Sequence, residues 1–153
     1  MAANEGLKSS RTTADDRAEL YLLRAKAHRQ LREPVPALEA FLDSFQVGSS
    51  RAKPAAIEGI EEMCAQLGPP PREGDERRYK AVSWPRDDRT GNLRDTPSTD
   101  SSKSQILIIL PRPTCVLVGP PRTTSPGEVW YPVETRFQGA VWQGWMHQVV
   151  LSP

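Results

Sequence analysis

A faint pattern recurs at an offset of 34 residues near the start of the chain: Tyr21, Ala25 and Leu31 are answered by Ala55, Gly59 and Ala65. A helix pair repeating at that spacing is the unit of a helical solenoid, which stacks on copies of itself and shows a surface to a partner. Only about one and a half units fit between residues 18 and 68. The chain then changes character, since 12 of its 15 prolines and all four tryptophans lie beyond Leu67.

The front half reads as three helices. Thr12 or Thr13 is placed to cap the first, and Asp15, Asp16 and Glu19 follow where the positive end of the dipole favours carboxylates. From there to Leu31 neither Gly nor Pro interrupts. At about 100° per residue, Leu20, Leu23, Ala27 and Leu31 form one stripe, with Tyr21, Ala25 and His28 beside it. Glu19, Leu22, Lys26, Arg29 and Glu33 take the remaining side. Two adjoining apolar stripes predict a helix packed on two sides. Glu33-Pro34-Val35-Pro36 breaks it, and a second helix follows over 37–46, with Leu38, Phe41, Leu42 and Phe45 on one face and Gly48 as its stop. A third runs from about Pro54 to Leu67, burying Ile57, Ile60, Met63 or Cys64, and Leu67, before Gly68-Pro69-Pro70-Pro71 ends it.

The segment 18–31 followed by Ala37-Leu38-Glu39-Ala40-Phe41 resembles a tetratricopeptide repeat. In that family a large residue, a small residue four positions on, and an Ala-x-x-x-aromatic pair in the second helix allow close helix approach. Tyr21, Ala25, Ala37 and Phe41 stand at those positions, and Gly59 takes the small position of the following repeat. Arg24 and Glu58 replace the family's Leu, His28 and Glu62 its Tyr, Ser44 its Ala and Ser49 its Pro. The alternative is a generic helical hairpin plus one helix.

The resemblance implies a non-catalytic protein–protein interaction module, an adaptor or scaffold, whose first helix in each pair lines a groove. Leu22, Lys26 and Arg29 on the first helix and Ala56, Ile60 and Met63 on the third are then its peptide-binding face, although Lys26 and Arg29 also fit an ordinary solvated surface. Some members clamp a chaperone's C-terminal carboxylate with a Lys and an Asn. Here the matching positions hold Leu22 and Lys26, then Ala56 and Ile60, which disfavours that partner. A third helix left uncovered points to self-association through it.

Beyond Gly68 the reading is sparser. Residues 69–105 are charged and rich in Pro, Ser and Asp, a composition that predicts a disordered linker. Ile106-Leu107-Ile108-Ile109-Leu110 and Cys115-Val116-Leu117-Val118 flank a proline turn and fit a hairpin, marginal by itself and aggregation-prone if its first strand is exposed. The aromatic stretch after Val129 shows no clear alternation. The expected architecture is mainly α. It comprises a flexible 1–13, a three-helix solenoid fragment over 14–68, a disordered 69–105, and a hairpin or disordered tail over 106–153. One other reading is a truncated or alternatively spliced piece of a larger repeat protein with no activity of its own. Another is a small α+β domain in which the 106–118 hairpin covers the helices.

Charge narrows the function classes. Nine Lys/Arg face ten Asp/Glu in residues 1–68 and eleven face nine in 69–153, too balanced to point to nucleic acid. Cys64 and Cys115 have no metal-ligand spacing, and no disulfide is expected of them. His28 and His147 lie far apart, neither cysteine has a nearby His or Lys, and no Gly-rich phosphate loop occurs. No enzyme, cofactor or metal site is expected. With no apolar h-region and no run long enough to span a membrane, the expected location is the cytoplasm.

Overall fold

The computed structural model describes residues 10–68, 77–82, 91–100, 102–124 and 127–151. The chain divides into two compact units, Met1–Met63 and Cys64–Pro153. Helices α1 (Ser10–Gln30), α2 (Pro34–Val47) and α3 (Lys53–Leu67), whose last turn falls in the second unit, agree with the three expected from sequence, α1 starting earlier than residue 14. Gly48 stops α2 in the left-handed region at φ 83°. Helix α1 closes in a Schellman turn, in which the N–H of Glu33 donates to the carbonyl of His28 at 2.9 Å and that of Arg32 to Arg29 at 3.1 Å. Arg32 sits there at φ 58°, a conformation that glycine adopts without a Cβ penalty. Arg32→Gly is therefore expected to raise stability by about 0.5 kcal/mol, measurable as a higher Tm.

Of the two stripes the wheel selects, α1 buries Ala25 of the second and leaves the leucines of the first in solvent. Ala18, Leu22 and Ala25 are buried, whereas Leu20, Leu23 and Leu31 are 60%, 63% and 69% exposed. Close approach explains the inversion. The Ser44 hydroxyl of α2 donates to the main-chain carbonyl of Ala18 at 2.9 Å, which requires the surface of α2 to reach the backbone of α1. Alanines permit that distance and a row of leucines does not. Helices α2 and α3 meet as tightly, because a Cβ on Gly59 would stand 2.3 Å from the Phe41 ring.

Within the helical unit, α1 and α3 run side by side and parallel. Ser49, just ahead of α3, donates its hydroxyl to Asp15, Arg51 pairs with Glu19 at 3.4 Å, and Glu62 pairs with Arg29 at 2.9 Å. The partners march along both helices in the same direction, close to the 34-residue offset of the sequence pattern. These ion pairs are solvent-accessible and contribute little energy, so they report the alignment that the buried faces create.

The second unit overturns the expectation of a mainly α chain with a disordered C-terminal region. Strands β1 (Arg78–Ala81), β2 (Gly91–Arg94), β3 (Ile106–Leu110), β4 (Cys115–Val118), β5 (Arg122–Thr124), β6 (Glu128–Phe137) and β7 (Ala140–His147) form one antiparallel sheet, which makes the chain α+β. The strand order is β1-β4-β6-β7-β2-β3, with β5 against β6. Strands β1 and β2 fall inside the stretch expected to be a disordered linker, of which 69–76 and 83–90 lie outside the described residues. The physical reason is a core assembled from scattered residues: Val82, Leu93, Leu110, Val116, Val118, Val133, Met146, Val150 and Leu151. Most strands contribute one or two of these, so no single window reads as hydrophobic enough to fold.

The sheet must curl. Strands β3 and β4 are four places apart in the order yet joined by residues 111–114 alone. Laid flat they would lie about 19 Å apart, while that link spans at most about 18 Å when fully stretched. Curling brings Leu110 and Val116 into one core. The expected 106–118 hairpin is consequently absent, since β3 pairs with β2 and β4 pairs with β1 and β6. Pro111 and Pro113 have no N–H to close a tight turn. The N–H and hydroxyl of Thr114 both fold back to the Pro111 carbonyl, at 2.9 and 2.6 Å, sending the chain to the far end of the sheet.

The same pairing corrects the cysteine reading. Cys115 lies opposite Ala81 on β1, and Cys64 forms a disulfide with it at a Cα–Cα distance of 5.8 Å. A separation of 51 residues hides this from the sequence. Lys80, also on β1, is buried with its ammonium 5.3 Å over the Tyr131 ring. Desolvation, and after it the charge of Arg78, hold its pKa below the ordinary lysine value.

Candidate functional site

Two features of the described residues can receive a partner, one in each unit. The first follows from the β6–β7 hairpin. Gln138 and Gly139 occupy its turn at φ 53° and 78°, the left-handed pair of a type I′ connection, which locks the register of every residue behind it. Glu134 therefore stands opposite Gln143, and Pro132 opposite Trp145. On the neighbouring strands Leu117 faces Glu134 and Arg94 faces Trp145, so these side chains share one face of the sheet.

Leu117, Pro132, Glu134, Gln143 and Trp145, together with Arg77, Asp95, Gly119, Val133 and Gly144, line a groove of about 440 Å³. That is ample for a side chain or a short peptide segment. Gln143 donates to the Glu134 carboxylate at 3.0 Å, and Asp95 accepts from the Gln105 N–H at 2.8 Å. Trp145, Pro132 and Leu117 supply the apolar floor. The lining carries the carboxylates of Asp95 and Glu134, the Gln143 amide and the Arg77 guanidinium. No group of three or more His, Cys, Asp or Glu able to hold a metal ion occurs among the described residues.

The second feature is the stripe on α1. Leu20 and Leu23, with Ala27 also exposed, run along α1 to Leu31 just past its end, and are bordered on one side by Arg17 and Arg24, both exposed. Spacings of three and four residues make it a continuous apolar ridge.

The residues expected to form a peptide-binding face do not make one open surface. Leu22, Ile60 and Met63 are buried at 3% exposure or less, as is Ala56. Arg29 is tied to Glu62 and lies 5.6 Å over the Phe41 ring. Lys26 alone among them is fully exposed. Ala56, Ile60, Met63 and Cys64 of α3 are all buried. The groove escapes sequence reasoning, although a signal exists. Once Gln138-Gly139 is taken as a two-residue turn, counting outward pairs 134 with 143 and 132 with 145.

No protein-family model matches the chain, and no curated protein or solved structure matches it either. Among the described residues no helix is long and apolar enough to cross a membrane.

Proposed function

We propose that the chain is a non-catalytic protein–protein interaction module of adaptor type, its helical unit built like a tetratricopeptide repeat and a half. The observation that supports this best is the parallel seating of α1 beside α3 at the repeat offset, with Gly59 against Phe41 at the position where such repeats need a small residue. A repeat that stacks on α3 from one side leaves the far side of α1 for another helix. There the chain presents Leu20, Leu23, Ala27 and Leu31 to solvent. The partner is an amphipathic helix with an apolar stripe of matching spacing, and an acidic flank that meets Arg17 and Arg24. No cofactor enters this reading. The Cys64–Cys115 disulfide argues for an oxidising compartment over the cytoplasm, because such bonds rarely persist among cytosolic thiols.

A photo-crosslinking residue placed at Leu23, and separately at Gln143 in the groove, tests the proposal in the full chain. Capture at position 23 of a peptide with amphipathic helical spacing is expected. Replacing Leu20 and Leu23 by Glu should weaken that partner at least about tenfold with Tm unchanged, since both positions are exposed. Capture from position 143 alone, or affinity indifferent to the two glutamates, contradicts it.

A further inference from the structure

Strand β3 carries a separate message. It closes one end of the strand order, and among the described strands it pairs with β2 alone. Its sequence, Ile106-Leu107-Ile108-Ile109-Leu110, is apolar throughout. Sheet edges are normally blunted by a Lys, a Pro or an inward charge, because their free N–H and C=O groups template further pairing. None of these devices occurs between 106 and 110. Only Leu110 is fully buried, while Ile106, Leu107 and Ile109 are 46%, 37% and 52% exposed.

We propose that β3 is a self-pairing edge, through which two copies of this chain join antiparallel into one continuous sheet. The occupant is a second copy because the strand complements itself. Antiparallel superposition about Ile108 sets Ile106 against Leu110, Leu107 against Ile109 and Ile108 against Ile108, so every cross-strand pair is a branched aliphatic pair of the kind that stabilises sheets. No like charges meet within the ladder. The register also defines its ends, since the next pair sets Gln105 against Pro111, which lacks an N–H and halts the ladder.

A twofold pairing consumes the β3 edge of both partners, so the product is a closed dimer and not a fibre. The three exposed side chains and one strand edge bury far less than the roughly 800 Å² per partner of a stable standard interface. The dimer is therefore weak and strongly concentration-dependent.

Sedimentation of the intact chain, from low micromolar to near-millimolar concentration, should show a monomer–dimer equilibrium without larger species. Leu107→Lys and Ile109→Lys alter exposed positions, so each should keep the wild-type Tm while raising the dimer dissociation constant at least about tenfold. Amide exchange of residues 106–110 should slow as concentration rises. A chain that stays monomeric throughout overturns the proposal, as does a dimer indifferent to both lysines or an open-ended polymer. So does a chain that never dimerises yet takes up a synthetic apolar strand peptide, since the occupant is then not a second copy.

Discussion

Replacing Phe41 by Ala is expected to cost about 3–5 kcal/mol, and replacing Gly59 by Ala is expected to destabilise as well. The second result runs against the ordinary rule, because an alanine inside a helix is worth about 1 kcal/mol more than a glycine. The sign reverses because the new methyl would stand 2.3 Å from two carbons of the Phe41 ring. That ring is 1% exposed, so it cannot swing into solvent to make room. Overpacking of this kind costs about 2–3 kcal/mol. The two effects share one space and so do not add. With the ring gone, the methyl introduced at position 59 has somewhere to go, and the double variant Phe41→Ala, Gly59→Ala should be less damaged than the sum of the single changes by about 2 kcal/mol. Denaturant unfolding of the four proteins closes the cycle. Additive losses would show that ring and glycine do not touch, and would remove the main support for reading the helical unit as a close-packed repeat.

The helical unit is largely legible in its sequence, but its orientation is not. Proline breaks and Gly48 delimit the helices well, since backbone chemistry acts locally. Which face of α1 is buried depends instead on how near α2 comes, and Ala18 and Ala25 are chosen for their small size. A wheel ranks residues by hydrophobicity, so it places the leucines inward and assigns Leu22 to a binding surface. The polar contacts between the two helices, Asp15 with Ser49, Glu19 with Arg51 and Arg29 with Glu62, lie close to the 34-residue offset without falling on the residues of the pattern itself.

The sheet is hidden for two physical reasons. Strands β1 to β5 have five residues or fewer, and β2 shifts register between Leu93 and Arg94, which breaks the alternation that marks a half-buried strand. Half of its pairings also join strands that are not consecutive in sequence, β1 with β4, β2 with β7 and β4 with β6, so local pattern contains little about them. Gln138-Gly139, by contrast, is a local turn that specifies the longest hairpin in the sheet and with it the candidate groove.

Gly144→Val is expected to detach the β2–β3 edge and cost about 3 kcal/mol or more. Strand β2 meets β7 at one register pair, Arg94 with Trp145, and the neighbouring Gly144 is where the two backbones approach. A Cβ there would lie 2.5 Å from the Arg94 carbonyl oxygen and 3.0 Å from Cγ of Leu93. The first of these atoms is backbone, so no rotamer change relieves the clash. Moving β2 outward exposes Leu93 and Leu110, both 0% exposed and both in the nine-residue core. Gly139→Ala is the control, for a Cβ at that turn meets nothing within 4 Å and only its φ of 78° is disfavoured. That change should cost about 1 kcal/mol and leave the core intact. Hydrogen exchange then separates the two mechanisms: Gly144→Val should strip protection from residues 91–94 and 106–110 first, whereas Gly139→Ala should lower protection near the hairpin tip. Retained protection of β2 and β3 in the valine variant would mean that the β2–β7 seam is looser than the glycine contact implies.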